Sequence, residues 1–233
     1  SYINTNIIGT YNILEAALRL KIKNVLVTST SEVYGEQKYI PIDEKHPVEA
    51  SSPYASTKIA ADNLALSYFK SFNLPVKIIR PFNVFGPRQS SRGLIPNVIL
   101  QILNKNKEIK VGNLYPKRDY TYVEDTCEAI YKIAKLSDKF NGEVFNIGTN
   151  KTYSVREIIN LIKKLTKSNK KIKINSIRVR PKKSEVDILK CNNLKIRRSC
   201  NWKNKHSFKK GLIKTIIWLK ENKNKFKSEI YNI

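Results

Sequence analysis

Tyr54-Ala-Ser-Thr-Lys58 sets a phenol and an ammonium four residues apart, on one face of any helix that carries them. An ammonium beside a phenol favours the phenolate. The spacing therefore predicts a Tyr54 of lowered pKa, able to act as acid and base while an alcohol is oxidised to a ketone. The pattern alone is common by chance, and an exposed Tyr/Lys pair is the simpler interpretation. A second run changes the weighing. Thr28-Ser29-Thr30-Ser31-Glu32-Val33-Tyr34-Gly35 places hydroxyls and one carboxylate just after a short apolar segment. In open α/β sheets ligands bind beyond the carboxyl ends of strands. Glu32 by itself could cap a turn, but Thr30, Ser31 and Glu32 directly upstream of a Tyr54/Lys58 helix make one candidate catalytic group.

The elements that must position these residues alternate. Thr10 to Leu20 has helical apolar spacing, Asn24 to Thr30 reads as a buried strand, and a helix enters at Ser51-Ser52-Pro53 and runs to about Phe72. Val76 to Phe82 is a second strand, ended by Gly86-Pro87. Further on we expect helices at Ile95–Leu103, Val123–Leu136 and Phe208–Glu221. Strands are expected at Ile109–Gly112, Val144–Gly148 and Lys171–Arg180. Ser154 to Thr166 is an amphipathic helix with a capping box, Ser154 at the N-cap and Glu157 three residues on. The alternation predicts an α/β, Rossmann-like doubly wound parallel sheet with a smaller mixed α/β lobe. Residues 1–90 belong to the sheet domain and 91–233 mostly to the lobe, with 119–150 returning to the sheet.

Bulk properties exclude more than they assign. The chain has 233 residues and 41% hydrophobic content, ordinary for a globular core. No apolar run is long enough to span a membrane and no signal-like segment opens the chain, so the cytoplasm is the default and no membrane partner is expected. Cys127, Cys191 and Cys200 match no zinc or redox spacing, and His46 and His206 stand alone, so reduced thiols and no metal are predicted. The formal charge of +25 raises polyanion binding as a rival function. Its lysines are spread along the chain with many Asn and Ile, and no recognition motif accompanies them, so no specific nucleic-acid partner is assigned. The basic terminal helix is read as core-packing rather than membrane-bound.

Beyond these local patterns the chain resembles the extended short-chain dehydrogenase/reductases that act on nucleotide sugars. The resemblance runs through Asn6-Ile7-Ile8-Gly9-Thr10, Ser29 to Gly35, Ser52-Pro53-Tyr54 to Lys58 and Arg80-Pro81-Phe82-Asn83-Val84-Phe85-Gly86-Pro87-Arg88. It continues through Arg118 to Asp125, Phe145-Asn146-Ile147-Gly148, and Arg180-Pro181 with Glu185-Val186-Asp187. It implies an NAD cofactor, a nucleotide-diphosphate-sugar substrate and a homodimer formed through a helix pair. By position, Thr30, Tyr54 and Lys58 correspond to the group that removes the C4 hydroxyl proton, with Asn6 as the supporting asparagine. Ser29, Tyr54, Lys58 and Pro81 fall on the cofactor side. Asn83, Arg88, Arg118 and Arg180 fall on the substrate side, where guanidinium groups suit a diphosphate.

Within that family Glu32 discriminates. A 4-epimerase needs no base there, whereas a 4,6-dehydratase must also remove the C5 proton and expel the C6 hydroxyl. Thr30-Ser31-Glu32 is similar to the threonine-serine-glutamate of GDP-mannose 4,6-dehydratases, and Gly112 to Asp119 is similar to dehydratases of nucleotide-linked N-acetylglucosamine on the legionaminic acid route. Ser31 stands where dTDP-glucose dehydratases carry an aspartic acid, which leaves open the acid that protonates the departing water; Glu32 acting twice is one answer. UDP-glucuronate decarboxylases share Thr-Ser-Glu and are the alternative, with a 4-epimerase behind them. Ser199-Cys200-Asn201-Trp202 departs from the family's Leu-Gly before Trp, a change an Asn in left-handed conformation tolerates. The larger departure is the missing G-x-x-G-x-x-G cofactor turn. With no Met in 233 residues, the chain reads as a piece of a longer one, lacking about 90 residues of strand–helix units. On its own it is expected to bind dinucleotide poorly and to be inactive, which leaves an inactive binding fragment or a polyanion-binding module as non-enzyme rivals.

Overall fold

Val76-Lys77-Ile78-Ile79-Arg80-Pro81 is a run whose first five side chains are all buried, as expected of a strand covered on both faces. The computed structural model, which describes residues 1–105, 107–179 and 185–226, places it as β2 (Val76–Pro81) at the centre of a parallel sheet. On one side it pairs with β1 (Val25–Thr28) in the register Val25↔Val76, and on the other with β6 (Val144–Ile147) in the register Ile78↔Val144. Alternation of side chains sends Val76 and Ile78 to one core, with Leu14 and Ala17 of α1 (Gly9–Arg19) and Ala65 and Tyr68 of α2 (Pro53–Phe72). Ile79 points the other way, against Ala129 and Ile133 of α4 (Val123–Ala134), Ile196 of α6 (Leu194–Cys200) and Trp202. Helices thus cover both faces of the sheet.

The remaining elements build a second core. Helices α3 (Leu94–Leu103), α5 (Val155–Thr166) and α7 (Phe208–Glu221) enclose it with β4 (Glu108–Val111) and β5 (Lys117–Tyr122). β5 pairs in parallel with β3 (Asn83–Phe85) and β9 (Ile188–Leu189) and antiparallel with β7 (Thr152–Ser154), while β4 pairs with β8 (Lys171–Ile174). The capping box predicted at Ser154 is present: Glu157 N–H donates to Ser154 Oγ at 3.2 Å, and Ser154 N–H donates to Glu157 Oε2 at 2.7 Å. Asn201 holds φ 50°, the left-handed turn after α6 that the missing glycine would otherwise supply.

One expectation needs correction and one strand was not foreseen. The strand expected at Lys171–Arg180 stops at Ile174, because the Asn175 side chain accepts from Ile177 N–H and starts a 3-10 turn, Ser176–Arg178. The second strand ends at Pro81, one residue short of the expected Phe82, and Asn83–Phe85 then joins β5. β5 itself had no strand signal, since Lys117-Arg118-Asp119 opens it with charge, although Asp119 to Tyr122 are buried. A π-helical turn, Ile3–Ile8, precedes α1.

Candidate active site

The end of β1 is shaped by hydroxyls and one glycine. Thr30, extended, caps the 3-10 turn Ser31–Tyr34, its Oγ1 accepting from Glu32 N–H at 3.2 Å. The turn closes on Gly35 at φ 58°, where an added Cβ would stand 2.1 Å from the Glu49 carbonyl oxygen, so only glycine fits. Val33 and Tyr34 are buried, which leaves Glu32 as the half-buried side chain facing the adjoining cavity.

That cavity, about 770 Å³, lies between the two cores. Thr30, Ser31, Glu32 and Tyr54 line one part of it, and Asn83 and Arg118 are also in its wall. Tyr54 comes from the first turn of α2, whose start is set by Ser52 accepting from Ala55 N–H at 3.1 Å and by Pro53 in the first turn. Phenol, hydroxyl and carboxylate therefore converge on one space.

The electrostatics differ from the sequence expectation. Burial raises the Tyr54 pKa, the Glu32 charge raises it further, and a hydrogen bond with the Thr30 hydroxyl opposes them. Lys58 does not lower it: its ammonium donates to the Thr28 carbonyl at 2.8 Å, and burial lowers its own pKa against the opposing charge of Asp62. The lowered Tyr54 pKa predicted from spacing is thus corrected. Helical i,i+4 spacing brings the two residues to one face, but a backbone carbonyl takes the ammonium and a carboxylate faces the phenol. Glu32 and Tyr54 both line the same cavity.

The other expected residues are dispersed. Asn6 donates from Nδ2 to Thr57 Oγ1 at 2.9 Å and so ties the π-helical turn to α2. Ser29 is buried and donates to Asp62 Oδ2 at 2.9 Å, and Pro81 ends β2 opposite Ile147. Neither residue lines the cavity. Arg118 does line it, held by Glu185 at 3.4 Å and by its donation to the Lys117 carbonyl at 3.0 Å. Arg88 is exposed, in a left-handed turn at φ 67°, and is not part of the cavity wall. Arg180 lies outside the described residues. Sequence reasoning missed Arg92, Asn97 and Arg178, all in the wall. Arg178 donates to Asn97 Oδ1 at 3.2 Å and to the Lys110 carbonyl at 2.6 Å, contacts between residues 81 and 68 positions apart that no local pattern announces.

Asp119 supports this side of the cavity. Its buried carboxylate accepts from Thr149 N–H and Oγ–H at 2.8 and 2.7 Å, from Asn150 N–H at 2.8 Å and from Cys191 N–H at 3.2 Å. Burial raises its pKa and these donors oppose the shift. Among the described residues no cluster of His, Cys, Asp and Glu is arranged to hold a metal, and no helix is long and apolar enough to cross a membrane.

Comparison with known proteins gives the family. The family model described as GDP-mannose 4,6 dehydratase matches residues 1–215. The human dTDP-D-glucose 4,6-dehydratase is 32% identical over 229 residues, a match covering 96% of this chain and 64% of the relative. The UDP-N-acetyl-alpha-D-glucosaminuronate decarboxylase of Bacillus cytotoxicus is 36% identical over 232 residues, covering 95% of this chain and 71% of the relative. The crystal structure of dTDP-glucose 4,6-dehydratase from Bacillus anthracis in complex with NAD superposes with a TM-score of 0.87 at 32% identity, covering 96% of this chain and 70% of that one. The chain thus spans just under two thirds of the length of the human relative.

Proposed function

The chain belongs to the GDP-mannose 4,6 dehydratase family, and from that premise we propose that it carries the catalytic residues of a cytoplasmic nucleotide-diphosphate-sugar 4,6-dehydratase with bound NAD. One observation carries the proposal: Thr30, Glu32 and Tyr54 line one cavity, with the Glu32 charge felt at the Tyr54 phenol. A base for C5 beside the C4 acid/base group is what elimination requires and epimerisation does not.

The residues suit a dinucleotide at the end of β1. Lys58 presents an ammonium, and Tyr54 a phenol, next to the carboxyl end of a parallel strand, where such ligands bind in α/β sheets. Bound there, NAD would supply the hydride acceptor for oxidation at C4 and the hydride donor for reduction at C6. Tyr54, in the phenolate form that the positive charge of a bound nicotinamide ring would favour against burial and Glu32, would take the C4 hydroxyl proton, hydrogen-bonded by Thr30. The C4 ketone acidifies C5–H, and Glu32 removes that proton; the same carboxylic acid passes it to the C6 oxygen, which leaves as water, and the C5 enolate that reduction at C6 then creates takes its proton from solvent water. Arg118 and Arg178 offer guanidinium donors for the diphosphate from the wall of the cavity. In this proposal residues 1–90 with 119–150 form the cofactor-side domain and the rest the substrate lobe. Homodimerisation draws support from exposed apolar side chains on the first helices, Ile8, Tyr11, Ile13 and Phe72. The 233 residues contain no G-x-x-G-x-x-G turn, so the activity is assigned to the full-length protein and the isolated segment is expected to be inactive.

A decarboxylase is the second reading, favoured by the 36% identical Bacillus cytotoxicus relative. Incubating the full-length protein and NAD with dTDP-, GDP- and UDP-linked hexoses and hexuronates, with products weighed by mass spectrometry, separates the outcomes. Loss of one water with a new 4-ketone is the predicted result. Loss of carbon dioxide from a hexuronate would establish the decarboxylase, and a product of unchanged mass the epimerase.

A further inference from the structure

The Arg80 side chain is buried and lies outside the cavity wall, yet it joins the two segments that carry the acid/base groups. Its Nε and one terminal nitrogen both reach Asp62 Oδ2, at 3.0 and 2.9 Å. Asp62 is one helical turn beyond Lys58 on α2. The other terminal nitrogen of Arg80 donates to Tyr34 Oη at 3.1 Å, with the guanidinium carbon 5.0 Å from the centre of that ring. Tyr34 is two residues beyond Glu32 in the same 3-10 turn. The chain of contacts continues to β6, where Tyr34 Oη–H donates to Asn146 Oδ1 at 2.7 Å, and Ser29 adds a third donor to Asp62 Oδ2 at 2.9 Å.

We propose that Arg80 is a positioning residue that sets the Glu32 turn against the Lys58 helix, and that its two arms act on different steps of the reaction. The inference rests on the dehydratase reading of the site. Ser29 lies just past the end of β1, Arg80 near the end of β2 and Asn146 near the end of β6, so the network occupies the carboxyl edge of the central sheet. Tyr34, Asp62 and Arg80 are all at most 6% exposed. Stability alone gives little reason to bury such a pair, because desolvation offsets most of its attraction and apolar residues of similar size do as well. A fork that binds one group on each of two segments does what apolar packing cannot: it fixes their separation and orientation. The Tyr34 arm governs where the Glu32 carboxylate stands relative to C5. The Asp62 arm fixes the stretch of α2 that carries Lys58 one turn earlier, and with it where the Lys58 ammonium stands against the Thr28 carbonyl.

The test separates the arms in the full-length protein with bound NAD. The parent enzyme is assayed first; if it forms no 4-keto-6-deoxy product, the functional reading fails and the inference falls with it. Given parental dehydration, Tyr34→Phe, which keeps the ring and removes only the hydroxyl, is measured for C4 oxidation, as transient reduced nicotinamide, and for product formation. Displacing the base slows elimination about tenfold while C4 oxidation stays within about twofold and KM is unchanged. Asp62→Asn gives the reverse split, slowing C4 oxidation more than the later elimination. Variants that lower both steps in one proportion, or neither, would overturn the positioning role and leave the dehydratase reading standing.

Discussion

The two parts of the cavity are built by opposite means. Around Thr30, Glu32 and Tyr54 the groups come from a strand end, the turn that follows it and one helix, and a buried network lies behind them. Around Arg118 and Arg178 the guanidinium groups come from β5 and a 3-10 turn, braced by the Glu185 carboxylate, the neighbouring Lys117 carbonyl and the distant Lys110 carbonyl. The first arrangement suits proton transfer, where a small displacement is costly. The second suits capture of a large anionic ligand, where charge and reach matter more than sub-ångström placement.

That contrast ranks the predictions. Tyr54→Phe removes the proton acceptor itself and should lower kcat about a thousandfold in the full-length enzyme with little change in KM, measured by steady-state kinetics. A modest fall would erase the distinction between the two parts. Asp119→Ala strips the acceptor from four donors and should cost about 3 kcal/mol of stability, read by urea unfolding. Arg118→Ala should raise KM about tenfold or more with kcat nearly kept, the signature of lost ground-state binding. A loss confined to kcat would make Arg118 part of the chemistry instead.

The network behind Glu32 has a pH signature. Burial pushes the Tyr34 phenol up to about 12 from 10.0, with Arg80 opposing. Between those values the unfolded chain releases this proton while the folded chain keeps it, so stability is whole below the lower value and falls as pH rises, by at most about 1.4 kcal/mol per pH unit. Tyr34→Phe should remove that share of the alkaline slope; an unchanged slope in unfolding titrations would mean Tyr34 titrates freely. Smallest of all, Arg88→Ala should leave kcat and KM within about twofold, since its side chain is exposed outside the cavity wall.

What could be read from the sequence follows the same division. Periodicity located the central strands, and the caps at Ser52 and Ser154 located two helix starts, because each signal lies within a few residues of its effect. Thr30, Ser31, Glu32 and Tyr54 were legible for the same reason. β5 was not, since it opens on Lys117-Arg118-Asp119 and is recognised as a strand only by its partners β3, β7 and β9. Arg178 and Asn97 meet across 81 residues, and Arg88 sits in a motif beside Asn83 yet turns away through a left-handed residue. The direction of the Tyr54 shift failed because spacing puts Lys58 on the right face without saying that the Thr28 carbonyl takes its proton donors.

The account stands or falls on the carboxylate beside the phenol. Glu32→Gln in the full-length enzyme, mixed with NAD and the accepted nucleotide sugar, should still give reduced nicotinamide as C4 is oxidised while 4-keto-6-deoxy product falls by about a thousandfold. Product formed at the parental rate by that variant would contradict it.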